Sequence, residues 1–101
     1  MQGGRRVRHP LLNLGVRPNQ LPHNRFGFAI GKRVGTAVVR NRIRRRLRAI
    51  LRDSALAPGH DIVITAAPQS ATAPFQDLRA ALHQCVRRAN LAQNLAETAQ
   101  N

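Results

Sequence analysis

The segment Arg25-Phe26-Gly27-Phe28-Ala29-Ile30-Gly31-Lys32-Arg33-Val34-Gly35-Thr36-Ala37-Val38-Val39-Arg40-Asn41-Arg42-Ile43-Arg44-Arg45-Arg46-Leu47-Arg48 changes its period half-way along, and that change decides the fold. From Arg25 to Gly31 the residues alternate, with Phe26, Phe28 and Ile30 on one side and Gly27, Ala29 and Gly31 on the other, as in a strand. One face is then bare backbone, which a packed helix or the backbone of a ligand can approach. After the break at Gly35, Thr36 is placed to cap a helix running from about Ala37 to Arg52 or Asp53. Val39, Ile43, Leu47 and Ile50 share one stripe of that helix, and Arg44, Arg45, Arg48 and Arg52 lie opposite. Arg46 projects near the apolar stripe, where it either snorkels or reaches into a cleft beside the strands.

Outward from this segment the pattern is that of a small α/β domain. Pro10 to Val16 reads as a strand, Pro58-Gly59 as a turn, and Asp61 to Ala66 as a buried β-branched strand. Ala67 to Ala73 reads as a loop. Pro74, with Thr72 or Ala73 near the cap, opens a second helix whose stripe is Phe75, Leu78, Leu82, Cys85, Val86 and Ala89. Residues 1–9, rich in Gly and Arg, are expected to form a flexible basic arm. Residues 10–91 then make a single domain, and residues 92–101 a polar tail that extends the helix or frays.

The chain has 101 residues, 17 Lys and Arg, 4 Asp and Glu and a net charge of +13, so one core faces a polyanionic partner. Residues 1–52 hold 14 of the basic residues and no acid, which concentrates the charge on one specialised surface. The run Arg40 to Arg48 has no interleaved acid. Its stacked arginines repel one another for no structural return unless phosphates meet them, and guanidinium favours bidentate contacts. No helix-turn-helix pair, zinc finger or zipper accompanies the basic helix, so structured RNA is expected and DNA is not.

Catalytic chemistry has little support in the residues. Asp53, Asp61, Asp77 and Glu97 are scattered, as are His9, His23, His60 and His83, so neither a carboxylate pair nor a metal site is expected. Cys85, the one cysteine, sits on an apolar stripe and reads as core. Gly27 to Lys32 is one residue short of a phosphate loop, with Arg33 where Ser or Thr belongs. The lone cysteine and the lack of a long apolar run point to a cytoplasmic protein away from membranes.

The order glycine-bearing strand, Lys32-Arg33 turn and helix opening on Arg40-Asn41-Arg42 closely resembles the signature of the bacterial ribonuclease P protein component. The strand Asp61 to Ile64 and the helix Phe75 to Leu82 resemble that family's next two elements, so the likeness spans roughly residues 10–90. The resemblance implies a ribonuclease P protein-like α+β two-layer sandwich with a left-handed β-α-β crossover. It also implies an accessory subunit of an endoribonuclease, with no protein catalytic centre. Catalysis would belong to ribonuclease P RNA, which holds magnesium and removes the 5′ leader of precursor tRNA. By that likeness Lys32, Arg33, Arg40, Asn41, Arg42, Arg44, Arg45 and Arg48 contact the catalytic RNA, and Phe28, Gly31, Lys32 and Arg46 line the leader cleft.

Two departures stand out: Gly31 replaces a frequent Ser, and only about nine residues precede Pro10 where the family has an aromatic-bearing helix. Marginal stability without RNA, with melting below about 60 °C, is expected from that reduced core. A small ribosomal or other structured-RNA-binding protein is the alternative. A membrane-active cationic peptide fits poorly, because Ile62 to Ile64 reads as a buried strand.

Overall fold

Three strands and two helices follow the predicted pattern, and a fourth strand joins them, in the computed structural model, which describes residues 4–91. They run β1 (Arg5–Arg8), β2 (Leu12–Pro18), β3 (Arg25–Ala29), α1 (Ala37–Arg52), β4 (His60–Ala66) and α2 (Phe75–Arg88), with a 3-10 turn at Pro68–Ala71. The sheet order is β1-β2-β4-β3. β1 and β4 both pair antiparallel with β2, whereas β3 pairs parallel with β4. Parallel neighbours need a crossover, and α1 supplies it.

The alternation of the strands sorts their side chains. Leu12, Leu14, Val16, Ile62, Ile64 and Ala66 point into a core completed by Ile43, Leu47, Ile50 and Leu51 of α1 and Leu78, Leu82 and Cys85 of α2. The helices therefore cover one face of the sheet and leave the other open. Burial pushes the Cys85 thiol up, so it packs as a neutral core group.

Thr36 caps α1 as its sequence predicts, its hydroxyl accepting from Val39 N at 3.4 Å. Gly35 is dictated by contact at this junction, since a Cβ there would sit 2.9 Å from Val39 Cβ and Cγ1. Pro74 stands at the cap of α2 instead of its first turn, its carbonyl accepting from Asp77 and Leu78 N.

The expected flexible arm at residues 1–9 requires correction. Residues 1–3 lie outside the described part, but Arg5–Arg8 is the edge strand β1, with Val7 6% exposed beside Leu14. Two long-range ties fix it: Arg5 Nη1 donates to Ala89 O at 3.2 Å and Arg88 Nη1 donates to Arg8 O at 3.0 Å. The domain thus includes β1, ahead of Pro10. The expected polar tail, 92–101, lies outside the described residues.

Candidate nucleic-acid interface

The arginines of α1 divide into flanks. On one flank Arg42 Nη2 donates to Ala71 O at 3.1 Å and Arg46 Nη1 donates to Ala73 O at 3.4 Å. Those carbonyls belong to the segment linking β4 to α2. On the other flank the Arg48 guanidinium lies 5.5 Å from the ring centroid of Phe28, a cation–π contact. Arg44 Nη1 donates to Asn41 Oδ1 at 2.8 Å, and Arg45 faces solvent between the flanks. Arg40 Nε and Arg42 Nε are buried without a hydrogen-bond partner among the described residues.

Lys32 and Arg33 are exposed in the turn between β3 and α1, where Val34 N donates to Gly31 O and Gly35 N to Lys32 O. The predicted RNA-contacting set, Lys32, Arg33, Arg40, Asn41, Arg42, Arg44, Arg45 and Arg48, is thus gathered on α1 and the turn leading into it. Arg42 differs from the rest, because one of its donors is spent on the chain itself.

The four residues expected to line a leader cleft are not brought together. Phe28 pairs with Ile64 and so lies on the helix side of the sheet, under Arg48. Arg46 is turned toward Ala73, while Gly31 and Lys32 stay in the turn.

The surface suited to a single strand is instead the open sheet face. Gly27, Val63, Gly15 and Arg6 form one row across the strands, and Ala29, Thr65, Asn13 and Arg8 the next. Arg6, Arg8, Asn13, Gly15, Val63 and Thr65 of these rows line a shallow depression of about 740 Å³, and Gly27 and Ala29 lie beside it on β3. A Cβ at Gly15 or Gly27 would meet its nearest neighbour at 3.9 or 3.8 Å, ordinary contact, so packing within the chain does not demand either glycine. Arg6 and Arg8 escape a reading of the sequence because β1 does, its one signal being Val7 between arginines, whereas Asn13 lies on the legible β2 and only the register sets it beside them.

One acid closes this face. Asp61 receives Arg25 Nε at 2.7 Å and Nη2 at 2.8 Å, and Asn19 Nδ2 at 3.0 Å, with Arg17 Nε 3.8 Å away. The hydrogen bonds from Arg25 and Asn19 hold its carboxyl down to about 2 from an ordinary 3.8. Among the described residues no three His, Cys, Asp or Glu side chains are grouped to hold a metal ion, and no helix is long and apolar enough to cross a membrane.

The ribonuclease P family pattern matches residues 1–90. The chain belongs to the ribonuclease P protein family. It is 33% identical over 92 residues to the ribonuclease P protein component of Alkaliphilus metalliredigens, covering 89% of this chain and 83% of the relative. With that of Roseiflexus castenholzii it shares 42% identity over 86 residues, covering 82% and 70%. The crystallised RNase P protein of Staphylococcus aureus superposes with a TM-score of 0.80 at 22% identity, over 89% of this chain and 84% of that one, and shows the same fold. The chain is accordingly the protein subunit of ribonuclease P, an endoribonuclease of tRNA 5′ maturation, and its fold is the family's α+β arrangement.

Proposed function

We propose that this subunit docks on ribonuclease P RNA in the cytoplasm through the exposed face of α1 and the Lys32-Arg33 turn. The open face of its sheet holds the single-stranded 5′ leader of precursor tRNA. Arg45, Arg48 and Lys32, exposed on that surface, meet RNA phosphates, with the partly buried Arg40 and Arg42 beside them. The leader's backbone passes Gly15 and Gly27 on either side of the exposed Val63, between Arg6 and Arg8 on one side and Arg25 on the other.

The observation that carries this reading is a sheet face with low ground at Gly15 and Gly27 on either side of the exposed Val63, and with arginines at both margins. The subunit binds and orients; hydrolysis belongs to the RNA, which holds the magnesium. The test is cleavage of precursor tRNA by a bacterial ribonuclease P RNA at low magnesium, with and without the protein. Stimulation that requires the leader is expected. Equal stimulation of leaderless and leader-bearing substrates, or none, would overturn the leader assignment. Gly15→Val, which raises a side chain within the depression, is expected to lower stimulation while leaving binding to the catalytic RNA unchanged.

A further inference from the structure

β3 is an outer strand of the sheet, and its helix-side residues are only partly covered. Phe26 and Phe28 stand opposite Ile62 and Ile64, which are 1% and 0% exposed, yet Phe26 is 42% exposed. α1 thus seals β4 and leaves an aromatic margin. Because α1 returns antiparallel to β3 in this crossover, its successive turns pass back along that margin. Arg48 of α1 lies over Phe28, and Arg44 stands one turn before it along the helix.

An exposed phenyl ring beside a line of guanidinium groups suits an unpaired nucleobase whose phosphates those groups neutralise. Apposing two copies of this margin would instead set the arginine stripes of a +13 chain against each other. We infer that the Phe26–Phe28 margin of β3, beside Arg48 and the basic face of α1, is a stacking ledge for an unpaired base of the RNA that docks on α1. Arg48 caps Phe28, so Phe26 is the ring that receives the base. The ledge lies on the opposite side of the sheet from the leader depression, and it rests on the reading that α1 docks on RNA.

The chain contains no Trp or Tyr, so Phe26→Trp carries a sole indole reporter. The experiment titrates a bacterial ribonuclease P RNA into the full chain, with binding followed independently by gel mobility. Indole emission is expected to be quenched in step with complex formation. Phe26→Leu, which keeps the strand's apolar contact, is expected to weaken binding at least about fivefold with an unchanged salt slope. Arg48→Gln, by contrast, should flatten the slope. Thermal melting of both Phe26 variants checks that the fold is kept.

An unquenched indole in a saturated complex, or a Phe26→Leu variant that binds as tightly as the parent, would overturn the ledge while leaving the docking reading intact. Quenching that follows protein concentration without RNA would assign the margin to a second copy. Failure of the parent chain to bind the RNA at all would remove the docking reading and the ledge with it.

Discussion

Asp61 is a carboxylate set among arginines on the face proposed for the leader, and it holds Arg25 by the edge that would grip a phosphate. A leader phosphate must therefore compete with it. Asp61→Asn is expected to tighten binding of a single-stranded leader oligonucleotide and to steepen its salt dependence by about one unit of slope, measured by fluorescence anisotropy. The acid response follows from the same contacts. Since the folded pKa lies below the unfolded one, the contribution of Asp61 to stability is complete above about 4 and is lost as pH falls toward 2. The Asn variant should show a shallower decline over that window in acid denaturation. Gly35 carries a separate expectation: Gly35→Ala forces its methyl against Val39 and should cost about 1–3 kcal/mol by chemical denaturation.

At the level of elements, legibility in the sequence tracked how many residues repeated a period. α1 was readable to within a residue, because four apolar positions and a capping Thr36 agree over sixteen residues. β2 and β4 were readable from their apolar alternation, though β2 is displaced toward Pro18. β1 was not, since it offers a single apolar residue, Val7, and owes its place to Arg5 and Arg88 reaching carbonyls 84 and 80 positions away. The same limit applies to the site. Which residues of α1 are basic was evident, but Arg42 and Arg46 turn to Ala71 and Ala73, whose nearness depends on how β4 leads into α2. The side on which Phe28 stands depends on which face of the sheet the helices cover, and the alternation of its own strand does not show that. Arg88→Ala removes one tie of β1 and should cost about 1 kcal/mol, with faster amide hydrogen exchange across Arg5–Arg8 than across β4.

For the molecule as a whole, charge works against compactness: 17 basic residues surround a core of a domain of under 100 residues. The RNA-free protein is expected to melt below about 60 °C in low salt and to gain stability when catalytic RNA is added, as read by calorimetry. A melting point already above that value without RNA would show that the core outweighs the repulsion. The seam between β1 and α2 also sets an order in time. The edge strand is synthesised first, yet Arg88 and the carbonyl of Ala89 that secure it are among the last of the domain to be made. A growing chain can complete its inner strands and α1 beforehand, but its first strand waits for nearly the whole domain to leave the ribosome, so the basic half is translated well before the last contact that closes the fold.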